Sequence, residues 1–129
     1  MIERITTPGA PAPRGPYSPA VRAGDFIFVS GQVPIDPITG QAVTGDVKTE
    51  TRRVLENIRM NLEGCGATMA DVVKCQVFLA DIKDFAAMNE AYTEVFAEYK
   101  PARTTVQAGA LPLAGSKVEI DAVAYKPKK

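Results

Sequence analysis

Pro101-Ala102-Arg103-Thr104-Thr105-Val106, then a Gly109 to Gly115 connection, then Lys117-Val118-Glu119-Ile120-Asp121-Ala122-Val123-Ala124-Tyr125 reads as two strands. Each carries one charge where a strand buried in a sheet would normally be apolar. Arg103 enters the first strand just behind a proline, and Glu119 sits between Val118 and Ile120 in a run of period two. A guanidinium and a carboxylate on neighbouring strands are either a structural ion pair or the two working groups of a small anion site.

Outward from this stretch, the N-terminal part supplies more strands. Ile2 to Thr6 reads as a short strand, and Pro8 to Pro19 is too rich in proline to be regular structure. Within that loop Gly15-Pro16-Tyr17-Ser18-Pro19 holds a phenol between two prolines, either as a stiff surface turn or as a positioned polar group. Ala20 to Arg22 and Asp25 to Gly31 predict a hairpin with Ala23-Gly24 at its turn. The second strand is apolar on both faces through Phe26, Ile27, Phe28 and Val29, and it closes on Ser30-Gly31-Gln32, where a glycine lets the backbone approach another group.

The middle of the chain is helical in pattern. Asp46 offers an N-cap, and Val47, Thr51, Val54, Leu55, Ile58 and Leu62 recur at helical spacing up to Gly64. The opposite face, with Lys48, Glu50, Arg52, Arg53, Glu56, Arg59 and Glu63, is expected to be solvated. Thr68 to Asp71 has the form of a capping box ahead of a strand in which Val73, Cys75, Val77 and Leu79 alternate, with Val72 and Phe78 on its other face. A second helix is expected from Asp81 to Tyr99, with Phe85, Met88, Tyr92, Val95, Phe96 and Tyr99 on one stripe and Asn89 beside it.

The predicted order is strand, strand, strand, helix, strand, helix, strand, strand: a single α+β domain, residues 1–129, with one sheet against two helices. Two helices cover one sheet face only. The apolar second face of the Phe26–Val29 strand then predicts a homo-oligomer with closed symmetry.

Composition narrows the chemistry. At 129 residues and 46% hydrophobic the chain can bury one core, and 15 basic residues balance 15 acidic ones. A zero net charge gives no field to attract a phosphate backbone, which argues against nucleic acid as the main partner. The short basic run Lys126–Lys129 does not change this. Cys65 and Cys75 suggest a reducing compartment, and the lack of a long apolar run or signal-like start suggests a cytoplasmic protein without a membrane span. With no histidine and no Cys-x-x-Cys pair, metal binding and histidine acid–base catalysis lack their usual residues, and no cofactor is expected.

If Arg103, Glu119, Tyr17, Asn89 and the Ser30-Gly31 backbone face one cavity where subunits meet, Arg103 would hold a small carboxylate with its fork. Glu119 would deprotonate a water. Such a site suits attack of water on an already reactive electrophile, such as an imine. The alternative is that Arg103 and Glu119 pair with each other and do no chemistry.

Gly15-Pro16-Tyr17-Ser18-Pro19-Ala20, Ser30-Gly31-Gln32-Val33-Pro34, Asp71-Val72-Val73-Lys74, Val77-Phe78-Leu79, Phe85 with Asn89-Glu90-Ala91-Tyr92, Pro101-Ala102-Arg103 and Val118-Glu119-Ile120 resemble, in order and spacing, the Rid (YjgF) family of reactive-intermediate deaminases. The resemblance covers nearly the whole chain. It implies a chorismate-mutase-like α+β fold with a mostly antiparallel six-stranded sheet, and a homotrimer with sites in the clefts between subunits. It also implies hydrolysis of 2-iminobutanoate and 2-iminopropanoate to 2-ketoacids and ammonia. Carried over by position, Arg103 binds the carboxylate, Glu119 positions the water, Tyr17 and Asn89 line the cleft, and the Ser30-Gly31 backbone faces the ligand. Thr105 stands where the family commonly has cysteine, and the Tyr99–Pro101 segment is shorter than in many relatives. A regulatory trimer that binds small carboxylates without turnover remains the alternative.

Overall fold

A computed structural model describes residues 1–128, so Lys129, the end of the basic run, lies outside the described residues. Strands β1 (Ile2–Ile5), β2 (Ala20–Ala23) and β3 (Phe26–Gln32) precede helix α1 (Val47–Gly64). Strand β4 (Val72–Leu79), helix α2 (Phe85–Phe96) and strands β5 (Ala102–Gln107) and β6 (Val118–Tyr125) follow. The six strands form one sheet in the order β1-β2-β3-β6-β4-β5, antiparallel except for β4 with β5. The last strand in sequence therefore lies between β3 and β4. Among the described residues no helix is long and apolar enough to cross a membrane.

Both helices lie on one face. Val54, Leu55, Ile58 and Leu62 of α1 and Met88, Tyr92 and Phe96 of α2 pack on Ile27, Cys75, Val77, Leu79, Ile120 and Ala122. Burying each large aliphatic side chain contributes roughly 1.5–3 kcal/mol, so this seam dominates the stability. The other face of the sheet stays open, and Phe26 (42%), Phe28 (46%) and Tyr125 (44%) remain half exposed on it.

The local expectations hold with five corrections. The β2–β3 turn is Gly24-Asp25, because Ala23 pairs with Phe26 and Gly24 takes a φ of +61°. In β4 the register slips between Val72 and Lys74, an extra residue that turns Val72 into the core and leaves Val73 exposed. Helix α2 starts after a separate 3₁₀ turn, Ile82–Asp84, capped by Asp81, whose carboxylate accepts from the Lys83 N–H at 2.9 Å. It stops at Phe96, where Ala97 adopts a φ of +51°, so Tyr99 leaves the stripe and is exposed.

The fifth correction is Glu50. It sits among charges that face water, yet it is 1% exposed. One carboxylate oxygen accepts from the Lys117 N–H at 2.7 Å and the other from Lys117 Nζ at 3.4 Å. Glu50 thus ties α1 to the entry of the central strand. Glu50→Ala leaves that N–H without its acceptor, and we expect a loss of about 1.5–3 kcal/mol, read as a lowered Tm. An unchanged Tm would show the contact to be replaceable by water.

Candidate active site

The geometry around Glu119 starts from a defect in pairing. Val29 pairs with Ala122 and Gln32 with Ile120, so β3 carries one residue more than β6 across Ser30-Gly31. This bulge brings the backbone against Glu119: a Cβ on Gly31 would lie 2.3 Å from Glu119 Oε2. A side chain at this position would have to push the Glu119 carboxylate aside. The proline-rich loop is anchored beside it, since Ser30 Oγ donates to the Ser18 carbonyl at 2.7 Å and Ser30 N–H to the Pro19 carbonyl at 3.0 Å.

Tyr17, Ser30, Gly31 and Glu119 line one cleft of about 390 Å³, within the range of small-molecule sites. Its wall is completed by Val33, Pro112 and Leu113, and its rim by Arg14. None of these four was singled out by sequence, because each lies in a connection without periodicity. The Tyr17 hydroxyl accepts from the Arg14 N–H at 3.2 Å, which leaves its own proton free to donate. Burial, then the negative charge of Asp121, raise the pKa of Glu119. A carboxylate so shifted is a better base than a solvated one.

Gly31→Ala should displace the Glu119 side chain while the sheet survives, because the clash is with the far end of a flexible chain. We expect an unchanged fold by circular dichroism together with a site that no longer supports function. Retained function would mean that the Gly31–Glu119 contact is incidental.

Arg103 lies elsewhere. It pairs in register with Cys75, which pairs with Ala122, whereas Glu119 pairs with Phe78. Strand parity thus puts Arg103 on the helix-covered face and Glu119 on the open face, with β4 between their strands. The two groups neither neighbour nor pair within one chain, which removes the intrachain ion pair. Arg103 rests instead on α2: its guanidinium carbon is 4.8 Å from the Tyr92 ring centroid and 5.6 Å from that of Phe85, and Nη1 is 3.9 Å from Met88 Sδ. Such stacking holds a cation in place without neutralising it.

Among the described residues no carboxylate pairs with Arg103. A hollow of about 240 Å³ beside it is bounded by Tyr92, Thr93, Lys100 and Pro101. Thr105, two residues on in β5, and Asn89 on α2 share this side of the molecule. Their Oγ1 and Oδ1 atoms are buried with no hydrogen-bond partner among the described residues. Unsatisfied buried atoms cost about 1–3 kcal/mol each and call for a partner. The structure thus groups Tyr17, Ser30, Gly31 and Glu119 in one cleft, and puts Arg103, Thr105 and Asn89 on the helix-covered side of the sheet.

Comparison with known proteins sets these two clusters in context. The family model described as Endoribonuclease L-PSP matches residues 7–126. A RutC family protein of Pyrococcus horikoshii is 53% identical over 98% of this chain and 99% of its own. The human 2-iminobutanoate/2-iminopropanoate deaminase is 45% identical over 98% of this chain and 92% of its own. The crystal structure of E. coli TdcF with bound serine superposes with a TM-score of 0.90 at 38% identity, covering 96% of this chain and 98% of that one. By sequence along nearly its whole length and by fold, this chain belongs to the Rid (YjgF) family.

Proposed function

We propose that the protein hydrolyses small 2-imino acids to 2-ketoacids and ammonia, in sites completed by a second copy of the chain. The carrying observation is the pair of incomplete clusters: an unneutralised, aromatic-held guanidinium on one face and a carboxylate of raised pKa in a cleft on the other. Neither suffices alone. A heterologous contact between copies, closing as a ring, would bring the Arg103 cluster of one chain to the Glu119 cleft of the next. The half-exposed Phe26, Phe28 and Tyr125 give the open sheet face a reason to be covered, and a homotrimer is the assembly we propose.

In this reading Arg103 holds the substrate carboxylate through two parallel hydrogen bonds. Glu119 accepts a proton from water as its oxygen bonds to the iminium carbon, giving a carbinolamine. Glu119 passes that proton to the amine nitrogen, the C–N bond breaks as the regenerated carboxylate takes the hydroxyl proton, and ammonia leaves as the ketone forms. Neither a redox partner nor a metal is required to balance these steps. The Gly31 N–H and the Tyr17 hydroxyl can donate to the developing polar groups, while Asn89 and Thr105 offer their unpartnered oxygens to the substrate's N–H donors. The 45% identity to a protein named as a 2-iminobutanoate/2-iminopropanoate deaminase supports 2-iminobutanoate and 2-iminopropanoate as substrates.

The test is ammonia release from imino acids generated in place by a dehydratase acting on threonine or serine. Acceleration above the spontaneous rate is expected. Tight binding of 2-oxobutanoate without acceleration would instead establish a carboxylate-binding, non-catalytic trimer. The family description also names an endoribonuclease. A net charge of zero and the lack of histidine offer such an activity little, and RNA cleavage that a point mutation abolishes would be needed to restore it.

A further inference from the structure

The Glu119 cleft carries a cation that hydrolysis of a simple imino acid does not use. Arg14 lines the same cleft as Tyr17 and Glu119. Its Nη2 donates to the Gly40 carbonyl, which moors the side chain to a second loop, and among the described residues it pairs with no carboxylate. Mooring through one nitrogen leaves the remaining donors of the fork available.

Charge counting shows what would fit. On the proposed assembly, Arg14 joins Arg103 and Lys100, which lines the Arg103 hollow, against Glu119 as the single lining carboxylate among the described residues, while Asp121, behind Glu119, is itself opposed by Lys74. The reactive form of a monocarboxylic imine is its iminium zwitterion, of zero net charge, which leaves this excess of positive charge unbalanced. A second carboxylate on the substrate side chain would offset it. Val33, Pro112 and Leu113 of the cleft supply an apolar wall against which methylenes can lie.

Resting on the deaminase reading, we infer that Arg14 is a specificity residue that binds a distal carboxylate, so that imines of 2-oxo dicarboxylic acids are preferred over those of aliphatic 2-oxo acids. The class of reaction that would supply such substrates is two-electron oxidation at the α-carbon of an acidic amino acid, or loss of water from a β-hydroxylated one.

The test has two arms on the full chain. Titration compares 2-oxoglutarate with 2-oxobutanoate, and turnover compares the imines generated by oxidising glutamate and 2-aminobutyrate. The wild type should favour the dicarboxylic member in both. Arg14→Gln should lower that preference about tenfold, as loss of one bidentate charged contact would. Arg14→Lys should recover part of it, since charge without the fork remains. Equal affinity for the two oxo acids, binding of neither, or an equal effect of Arg14→Gln on both would overturn the inference. If neither imine is hydrolysed, the deaminase reading falls, while the titration still decides the preference for dicarboxylates.

Discussion

Arg103→Ala is expected to lower hydrolysis of 2-iminobutanoate by about 10²–10³-fold and to leave the fold intact, because a fork–carboxylate contact in a partly buried site is worth roughly 3–4 kcal/mol. The fold should survive because Arg103 neutralises no carboxylate among the described residues: its neighbours are the rings of Phe85 and Tyr92 and the sulfur of Met88. Truncation removes some stacking on those rings, about 0.5–1 kcal/mol, and leaves no buried carboxylate unpaired. Arg103→Lys should also be strongly impaired, since a point charge cannot reproduce the two parallel bonds. The measurement is the coupled dehydratase assay, with a thermal melt alongside. Undiminished turnover by a folded Arg103→Ala protein would exclude the mechanism proposed for this site.

The second prediction follows from the separation of the two clusters. Arg103→Ala and Glu119→Gln, each inactive alone, should recover activity when unfolded together at equal amounts and refolded. In a ring of heterologous contacts each site takes Arg103 from one chain and Glu119 from its neighbour, so random mixing leaves about one quarter of sites with both. Activity near that fraction is therefore expected. A mixture as inactive as its parents would mean that one chain supplies both groups. The strand parity of Arg103 and Glu119 forbids that without remodelling of the sheet.

Much of the architecture is legible in residue order. The α1 stripe is buried as its spacing predicts, since a helix with one apolar face has a single way to hide it. Asp46 caps that helix, its carboxylate accepting from the Thr49 N–H at 2.9 Å. The alternation of β6 likewise places Val118, Ile120, Ala122 and Ala124 inward. Errors fall where a local pattern competes with a contact distant in sequence. Glu50 looked solvated because its helix neighbours are charged, and its partner lies 67 residues away at Lys117. Val72 and Val73 exchanged roles at a bulge, and Tyr99 continued a helical spacing that the backbone of Ala97 had already broken.

The candidate site divides in the same way. By itself, the order of residues determined the elements, the face each buries and the residue types able to hold a carboxylate or activate water, because these follow from periodicity and side-chain chemistry. Only the tertiary structure decided that β6 enters between β3 and β4, that β4 separates Arg103 from Glu119, and that the two point to opposite faces. Strand order is chosen by packing among segments far apart in the chain, and no local pattern records it.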